Sequence, residues 1–292
     1  MRLYLDTNIY NQLLDDPAMD SIVAVLADGP HEIYVSTLNM FEMAATSEPQ
    51  RRELLLNCAY RLRRQNLPLD FPPYLLRRSL KRFLEGRNDF SASIRPESGN
   101  ILELIREPGR LEAKWQPAVV EWKRNQEAWY DGMHRAARDG LQRLIRDLPP
   151  MDVQTITASA HSFIRHFCDR PEFLEDFFAN VFDHLGYGDT LRGRATEILC
   201  SVSVWCFYFK ALAYGVYDRT IKQEHYGRAS NPGSIDVQQM IYLACVDCFA
   251  TDDKRLLDVA RELVGAFHPE KRVISYEELK TELENKASPL GS

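Results

Sequence analysis

The sequence has no Gly-, Ser- or Pro-rich tract and no internal repeat, so neither a disordered linker protein nor a solenoid is expected. Cysteine is sparse. Its six residues, Cys58, Cys168, Cys200, Cys206, Cys245 and Cys248, are scattered and lie mostly in apolar runs. That pattern excludes a disulfide framework and predicts buried thiols in a reducing cytoplasm. Cys245-x-x-Cys248 has the spacing of a redox or zinc half-site, but no second pair completes a tetrahedron, and packing is the expected role. His161 and His166 are five apart and do not share a helical face, so no histidine metal site is expected. A secretory leader is not expected either, because Met1-Arg-Leu-Tyr-Leu-Asp6 turns acidic too soon. The one long apolar run, Ile198 to Tyr217, contains Ser201, Ser203 and Lys210. A lysine at mid-span costs roughly 3 kcal/mol on insertion scales, so the run is read as a buried helix and no membrane partner is expected.

What the sequence does have is a soluble, globular profile, 45% hydrophobic and 27% charged, with enough length for a substantial core. Net charge is −6, which at first argues against a nucleic-acid partner. Its distribution says otherwise. Residues 49–232 hold 28 Lys and Arg against 23 Asp and Glu, a net of +5, and the two ends together hold 8 against 19, a net of −11. Acidic ends that bind a cation and a basic middle that holds phosphates would be a coherent division. Arg-rich helical surfaces are the plainer explanation.

Strand and helix signals alternate at both ends. Arg2-Leu-Tyr-Leu5 reads as a strand, closed by the helix starters Asp6-Thr7-Asn8 and followed by the helical run Ile9–Leu14. A second helix is expected from about Asp16 to Ala27, ended by Gly29-Pro30. Glu32–Ser36 is a second strand, and Leu38–Ala45 a helix carrying Glu42. The alternation resumes near Gly227, with a helix over Ser234–Ala244, a buried strand over Cys248–Thr251, a helix from Asp252-Asp253 through Leu263, a strand over Arg272–Ser275 and a helix over Tyr276–Asn285. The last four residues, Pro289-Leu-Gly-Ser292, read as a cloning remnant. Between these ends, about 48 to 228 reads as nearly all helix, with breaks at Leu67-Pro68, Phe71-Pro72-Pro73, Pro108-Gly109, Pro149-Pro150 and Gly186-Tyr-Gly188. A long helix is expected within Glu112–Asp147, where Trp115, Trp122 and Trp129 recur every seven residues. Aromatics among basic residues can stack bases, while a packing seam is the commoner use of that spacing.

The expected fold class is therefore α/β, a Rossmann-like, mainly parallel sheet flanked by helices and interrupted by a large all-α insertion. The expected domains are a core of 1–48 plus 229–288 and a helical insertion of 49–228. In open parallel sheets, sites form at the carboxyl ends of strands. Asp6 and the Asp252-Asp253 pair follow strands, Glu42 lies on the helix after the second strand, and Asp236 begins the helix before the third. Such carboxylates repel one another unless a hard cation neutralises them, and Mg²⁺ and Mn²⁺ take oxygen ligands and retain waters for chemistry. Each acid also has a modest explanation. Asp6 and Asp236 could be helix caps, Asp253 a first-turn acid and Glu42 a surface residue.

At these residues the sequence resembles the PIN-domain family of nucleases. The resemblance rests on Leu5-Asp6-Thr7-Asn8, on Ser36-Thr37-Leu-Asn-Met-Phe-Glu42, on Asp236 before a helix, and on Phe249-Ala-Thr251-Asp252-Asp253. It spans about 1–48 and 233–275. It implies a PIN-like fold in which Asp6, Glu42 and Asp236 are the principal metal ligands. Asp253 would be the fourth acid, with Asp252 assisting, and Thr7, Asn8 and Thr251 would orient carboxylates or a phosphate oxygen. Hydrolysis would leave a 5′-phosphate and a 3′-hydroxyl. The departure from the family pattern is the span of about 190 residues between Glu42 and Asp236.

Weaker candidates surround this set. Lys210, in the buried-looking helix, could reach the acids or snorkel to the surface, and Arg228, Ser230 and Asn231 could touch substrate. Arg77, Arg78, Lys81 and Arg82 could track a phosphate backbone, or simply be a solvated helix face. The leading expectation is a cytoplasmic hydrolase, a Mg²⁺- or Mn²⁺-dependent endoribonuclease with RNA ahead of DNA as substrate. Further partners would be a protein inhibitor or antitoxin and a second copy in a homo-oligomer. The alternative is a non-catalytic PIN-like module that binds RNA or protein. A phosphohydrolase of the haloacid-dehalogenase type is disfavoured, because that chemistry wants an acid two residues after the first Asp and Asn8 stands there.

Overall fold

A computed structural model describes residues 1–63, 67–87, 92, 117–125, 128, 132, 135, 139, 142, 145–221 and 234–287. Four short strands, β1 (Arg2–Leu5), β2 (Glu32–Tyr34), β3 (Cys248–Ala250) and β4 (Arg272–Ile274), form one sheet in the order β2-β1-β3-β4. Every pairing is parallel, with Leu3 opposite Ile33 and Cys248, and Phe249 opposite Val273. Leu3, Tyr4 and Leu5 are all fully buried, as are Cys248, Phe249 and Ala250. A strand buried on both faces reads as a continuous apolar run, and these two are the central strands.

The chain forms two compact units. The described residues within Met1–Phe71, Ala92–Glu127 and Cys245–Ser292 make the first, and those within Pro72–Ser91 and Ala128–Ala244 the second. In the first unit, α1 (Thr7–Asp15) and α2 (Met19–Asp28) connect β1 to β2, and α3 (Thr37–Ala44) and α4 (Pro49–Leu62) follow. The helices Lys254–Phe267 and Tyr276–Ala287 come after β3 and β4. One face of the sheet, through Leu3, Leu5, Ile33, Val35, Ala250 and Ile274, packs on a core shared with Ile9, Leu13, Val23, Leu26, Leu279 and Leu283. Lys280 and the Tyr276 hydroxyl both donate to Asp16, at 2.7 and 2.9 Å, which ties the last helix to the turn between α1 and α2.

This partition differs from the expected boundary after residue 48. α4 belongs with the sheet because Leu55, Leu56, Cys58, Ala59 and Leu62 enter the same core and Arg51 pairs with Asp15 on α1. The expected boundary at 228/229 falls outside the described residues. So do Trp115, Trp129 and much of the proposed long helix, of which 117–125, 128, 132, 135, 139, 142 and 145–147 are described and helical.

In the second unit, α5 (Pro72–Leu84) is followed by helices over Pro150–Ala158, Ala160–Cys168, Pro171–His184, Gly188–Leu191, Ala195–Ser201, Ser203–Ile221 and Ser234–Gln239. Trp205 is fully buried, meets Phe178 and Phe182 edge-on at 5.5 and 5.6 Å, and donates its indole N–H to the Leu76 carbonyl at 3.1 Å. The long apolar run is two helices. The chain becomes extended at Val202, between Ser201 and Ser203, and the flanking helices are bent by 108°. Serine and β-branched residues are poor helix interiors, which suits a break there. Among the described residues no single helix is long and apolar enough to cross a membrane. The expected helix over Ser234–Ala244 tightens into a 3₁₀ turn at Met240–Ala244, where Met240, Ile241, Tyr242 and Leu243 are all buried just ahead of β3.

Candidate active site at the carboxyl ends of β1 and β3

The strand order reverses direction between β1 and β3. From β1 the chain passes outward to β2, and from β3 it passes the other way to β4. The crevice outside such a reversal is where open α/β sheets place ligands. Asp6 stands at the end of β1 and Thr251 at the end of β3. Asp6 N–H donates to the Ala250 carbonyl at 2.9 Å, and Thr251 N–H donates to Ile274 at 3.0 Å, so the ladder fixes both residues.

Asp6 is buried, at 1% exposure, and is the N-cap of α1. A buried carboxylate is costly unless donors surround it. Here Oδ1 accepts from Thr7 N–H at 2.6 Å, and Oδ2 accepts from the Thr251 hydroxyl at 2.8 Å and the Asn8 amide at 3.3 Å. The positive end of α1 adds to this. Asp6 is thus a cap, but a cap alone does not require a donor from β3. Nearby, burial first, then the Cys58 thiol and the Asp6 carboxylate, push the Tyr10 phenol well above its usual range, so it stays neutral.

Thr7 joins Asp6 to Glu42. Its hydroxyl donates to Glu42 Oε2 at 2.7 Å and accepts from the Asn39 amide at 3.2 Å. Asn39 was not singled out from the sequence. It is fully buried at the third position of α3, where its Oδ1 accepts from Ser36 N–H while Ser36 Oγ accepts from Asn39 N–H, a reciprocal capping box. The Tyr4 hydroxyl bonds Ser36 Oγ at 2.9 Å. The signal in the sequence was Ser36-x-x-Asn39, a capping box with Asn in the place usually held by Glu or Gln. A polar chain therefore runs from Tyr4 through Ser36 and Asn39, all buried, to Thr7 and Glu42, both half-buried.

Asp253 caps the helix Lys254–Phe267, its Oδ1 accepting from Arg255 and Leu256 N–H at 2.9 and 2.8 Å. Its own N–H donates to the Thr251 hydroxyl at 3.2 Å. The two threonines act alike, each hydroxyl accepting from an N–H and donating to a carboxylate. The order along the crevice is Glu42, Thr7, Asp6, Thr251, Asp253. Asp252, half-buried, accepts from the Gln12 amide at 2.9 Å, a partner the sequence reading did not foresee.

The remaining candidates belong to other parts of the chain's sequence. Asp236 is half-buried in the first turn of the Ser234–Gln239 helix, and Lys210 is half-buried on Ser203–Ile221, both in the second unit. Arg228, Ser230 and Asn231 lie outside the described residues. Among the described residues, no group of three or more His, Cys, Asp or Glu side chains is gathered closely enough to hold a metal ion. Of the four-residue basic run, Arg77 and Lys81 are exposed, while Arg78 and Arg82 are half-buried and Arg82 contacts Glu85 at 3.4 Å. All six cysteines are free thiols, but only Cys58 and Cys248 are buried, and Cys200 is exposed.

No family model, curated protein or solved structure matches this chain.

Proposed function

We propose that the chain is a metal-dependent nuclease with a PIN-like sheet, an endoribonuclease that hydrolyses RNA phosphodiester bonds at the ends of β1 and β3. The observation that carries this reading is Asp6. It is a buried carboxylate at the reversal of strand order, oriented by donors from two strand ends and tied through Thr7 to a second acid, Glu42.

The donors are hard oxygens, which suit Mg²⁺ or Mn²⁺. On this reading Asp6, Glu42 and Asp253 would hold the cation, with Asp252 next in the chain to Asp253 and Asp236 as the further acid that the family resemblance implies. Such a cation, when bound, would lower the pKa of a water and offset charge on the scissile phosphate. The chain's own part is positioning. Thr251 and Asn8 fix the plane of the Asp6 carboxylate, and Thr7, held by Asn39, fixes that of Glu42. Lys210 and Arg228 are the cations that the sequence offers for substrate phosphates, RNA ahead of DNA. A protein inhibitor or antitoxin and a second copy of the chain remain the partners this reading allows.

The test is cleavage of 5′-labelled RNA by the purified chain with Mg²⁺ or Mn²⁺. Products with 5′-phosphate and 3′-hydroxyl ends are expected, and Asp6→Asn is expected to abolish them. Cutting that survives both EDTA and that substitution would end the metal-nuclease reading. Tight RNA binding without cleavage under any divalent cation would instead establish a PIN-like binding module.

A further inference from the structure

α3 is almost wholly buried. Thr37, Leu38, Asn39, Met40, Met43 and Ala44 are shielded from solvent, and the two partly exposed residues of the helix are neighbours, Phe41 and Glu42. The aromatic side chain beside the candidate catalytic acid is therefore at the surface with it. Phe41 is not isolated. Its ring lies 4.9 Å from that of Phe71 and 5.2 Å from that of Trp122, and Phe71 and Trp122 are 5.4 Å apart. The interplanar angles are 75°, 63° and 62°, so the three rings form a closed triangle of edge-to-face contacts.

Three separate stretches of the first unit supply the triangle. Phe71 follows a segment laid against the sheet edge, where Leu69 N–H donates to Val35 and Thr37 N–H donates to Leu69, each at 2.8 Å. Trp122 comes from the helical stretch 117–125. All three rings are half-buried, so each keeps some surface open to solvent. The two residues after Trp122 are Lys123, half-buried, and Arg124, exposed. Aromatic rings that keep an open surface can stack bases, because every base offers a π-face.

We propose that Phe41, Phe71 and Trp122 form a stacking subsite for one unpaired base, and that the substrate is single-stranded RNA whose phosphate next to that base is presented at Glu42. The placing of the phosphate rests on the nuclease reading above; the base subsite does not. A base in a duplex is already stacked on both faces, so this subsite selects loops and open strands.

The test uses the full chain in EDTA, so that binding is read without cutting. An unstructured RNA oligomer, the same oligomer with one abasic position, and the matching duplex are titrated by fluorescence anisotropy, with tryptophan emission followed in parallel. The single strand is expected to bind about tenfold more tightly than the duplex and to quench emission in the parent more than in Trp122→Phe. Phe41→Leu and Trp122→Leu are each expected to weaken single-strand binding about tenfold, and Trp122→Tyr to recover most of it. The dependence of affinity on salt should keep its slope, since no phosphate contact is removed. Should the leucine variants unfold, the abasic oligomer and the quenching of the parent still decide the matter. Equal affinity for the intact and abasic oligomers, or no quenching of Trp122, overturns the subsite. Base-dependent binding without cleavage on adding Mn²⁺ sinks the nuclease reading and leaves the subsite. Cleavage with base-independent binding does the reverse.

Discussion

The Thr251 hydroxyl at the end of β3 donates to Asp6 Oδ2 at the end of β1 over 2.8 Å, joining residues 245 positions apart in the chain. The bond is buried and its acceptor is a carboxylate. Hydrogen bonds to charged groups contribute about 1.5–3 kcal/mol, and an unsatisfied buried partner is costly. Thr251→Val preserves shape and removes the donor. It is expected to destabilise the protein by about 2 kcal/mol in urea unfolding, whereas Thr251→Ser should stay close to the parent. A valine variant as stable as the parent would show that the bond does not hold Asp6.

Thr7 offers the matching experiment on Glu42. Its hydroxyl spans Asn39 and Glu42. On the nuclease reading, Thr7→Val releases the Glu42 carboxylate and lowers RNA cleavage about tenfold, about 1.4 kcal/mol of transition-state stabilisation. Thr7→Ser keeps the hydroxyl and should retain most activity. Asn39→Leu should act in the same direction, because it removes the donor that holds Thr7. Full activity in the valine variant would take Thr7 out of the site.

Asp16 predicts an acid dependence. The Lys280 ammonium first, then the Ala18 N–H, with help from the Tyr276 hydroxyl, hold its carboxyl below the usual range. A depressed carboxyl contributes stability in full above its unfolded value, about 3.9, and loses that contribution as pH falls through its lower folded value. Asp16→Asn should therefore be less stable than the parent at pH 7, and the gap should close as pH drops below about 4. Urea midpoints measured from pH 7 to pH 2 check this. A gap independent of pH would mean that packing, and not charge, is what Asp16 provides.

Thiol chemistry should be sharply divided. Burial pushes the Cys58 thiol up to about 11 and the Cys248 thiol up to about 12, while Cys200 is exposed. Thiolate is the reactive form, so native protein at neutral pH should be labelled by a maleimide at Cys200 well before Cys58 or Cys248. Mass spectrometry of partly labelled protein reads the order. Early labelling of Cys248 would contradict the packing of β3.

The strands were legible because each is a short apolar run bounded by turn or helix-starting residues. The ends of β1 and β3 could be placed from Asp6 and Asp253, because an acid that starts a helix marks the end of the strand before it. What the sequence could not show was tertiary choice. α4 has an apolar face that suits either a helical insertion or the sheet, and only packing sends Leu55 and Leu62 to the latter. Asn39 looked like one more residue of a short helix, since nothing local indicates that its amide reaches Thr7. Cys200 sits in an apolar run but on the outer side of its helix. The grouping of Asp236 with the helical unit likewise depends on contacts distant in sequence.

The pairing of β1 with β3 has a consequence in time. Asp6 leaves the ribosome well ahead of Thr251, at the end of its neighbouring strand, which is made 245 residues later. At about 5–20 residues per second this is a delay of roughly 10–50 s, during which the half of the crevice already synthesised has no partner. On the nuclease reading, the growing chain carries no assembled site until β3 and Thr251 have been made. A circularly permuted chain that places β3 beside β1 in sequence would lose that interval.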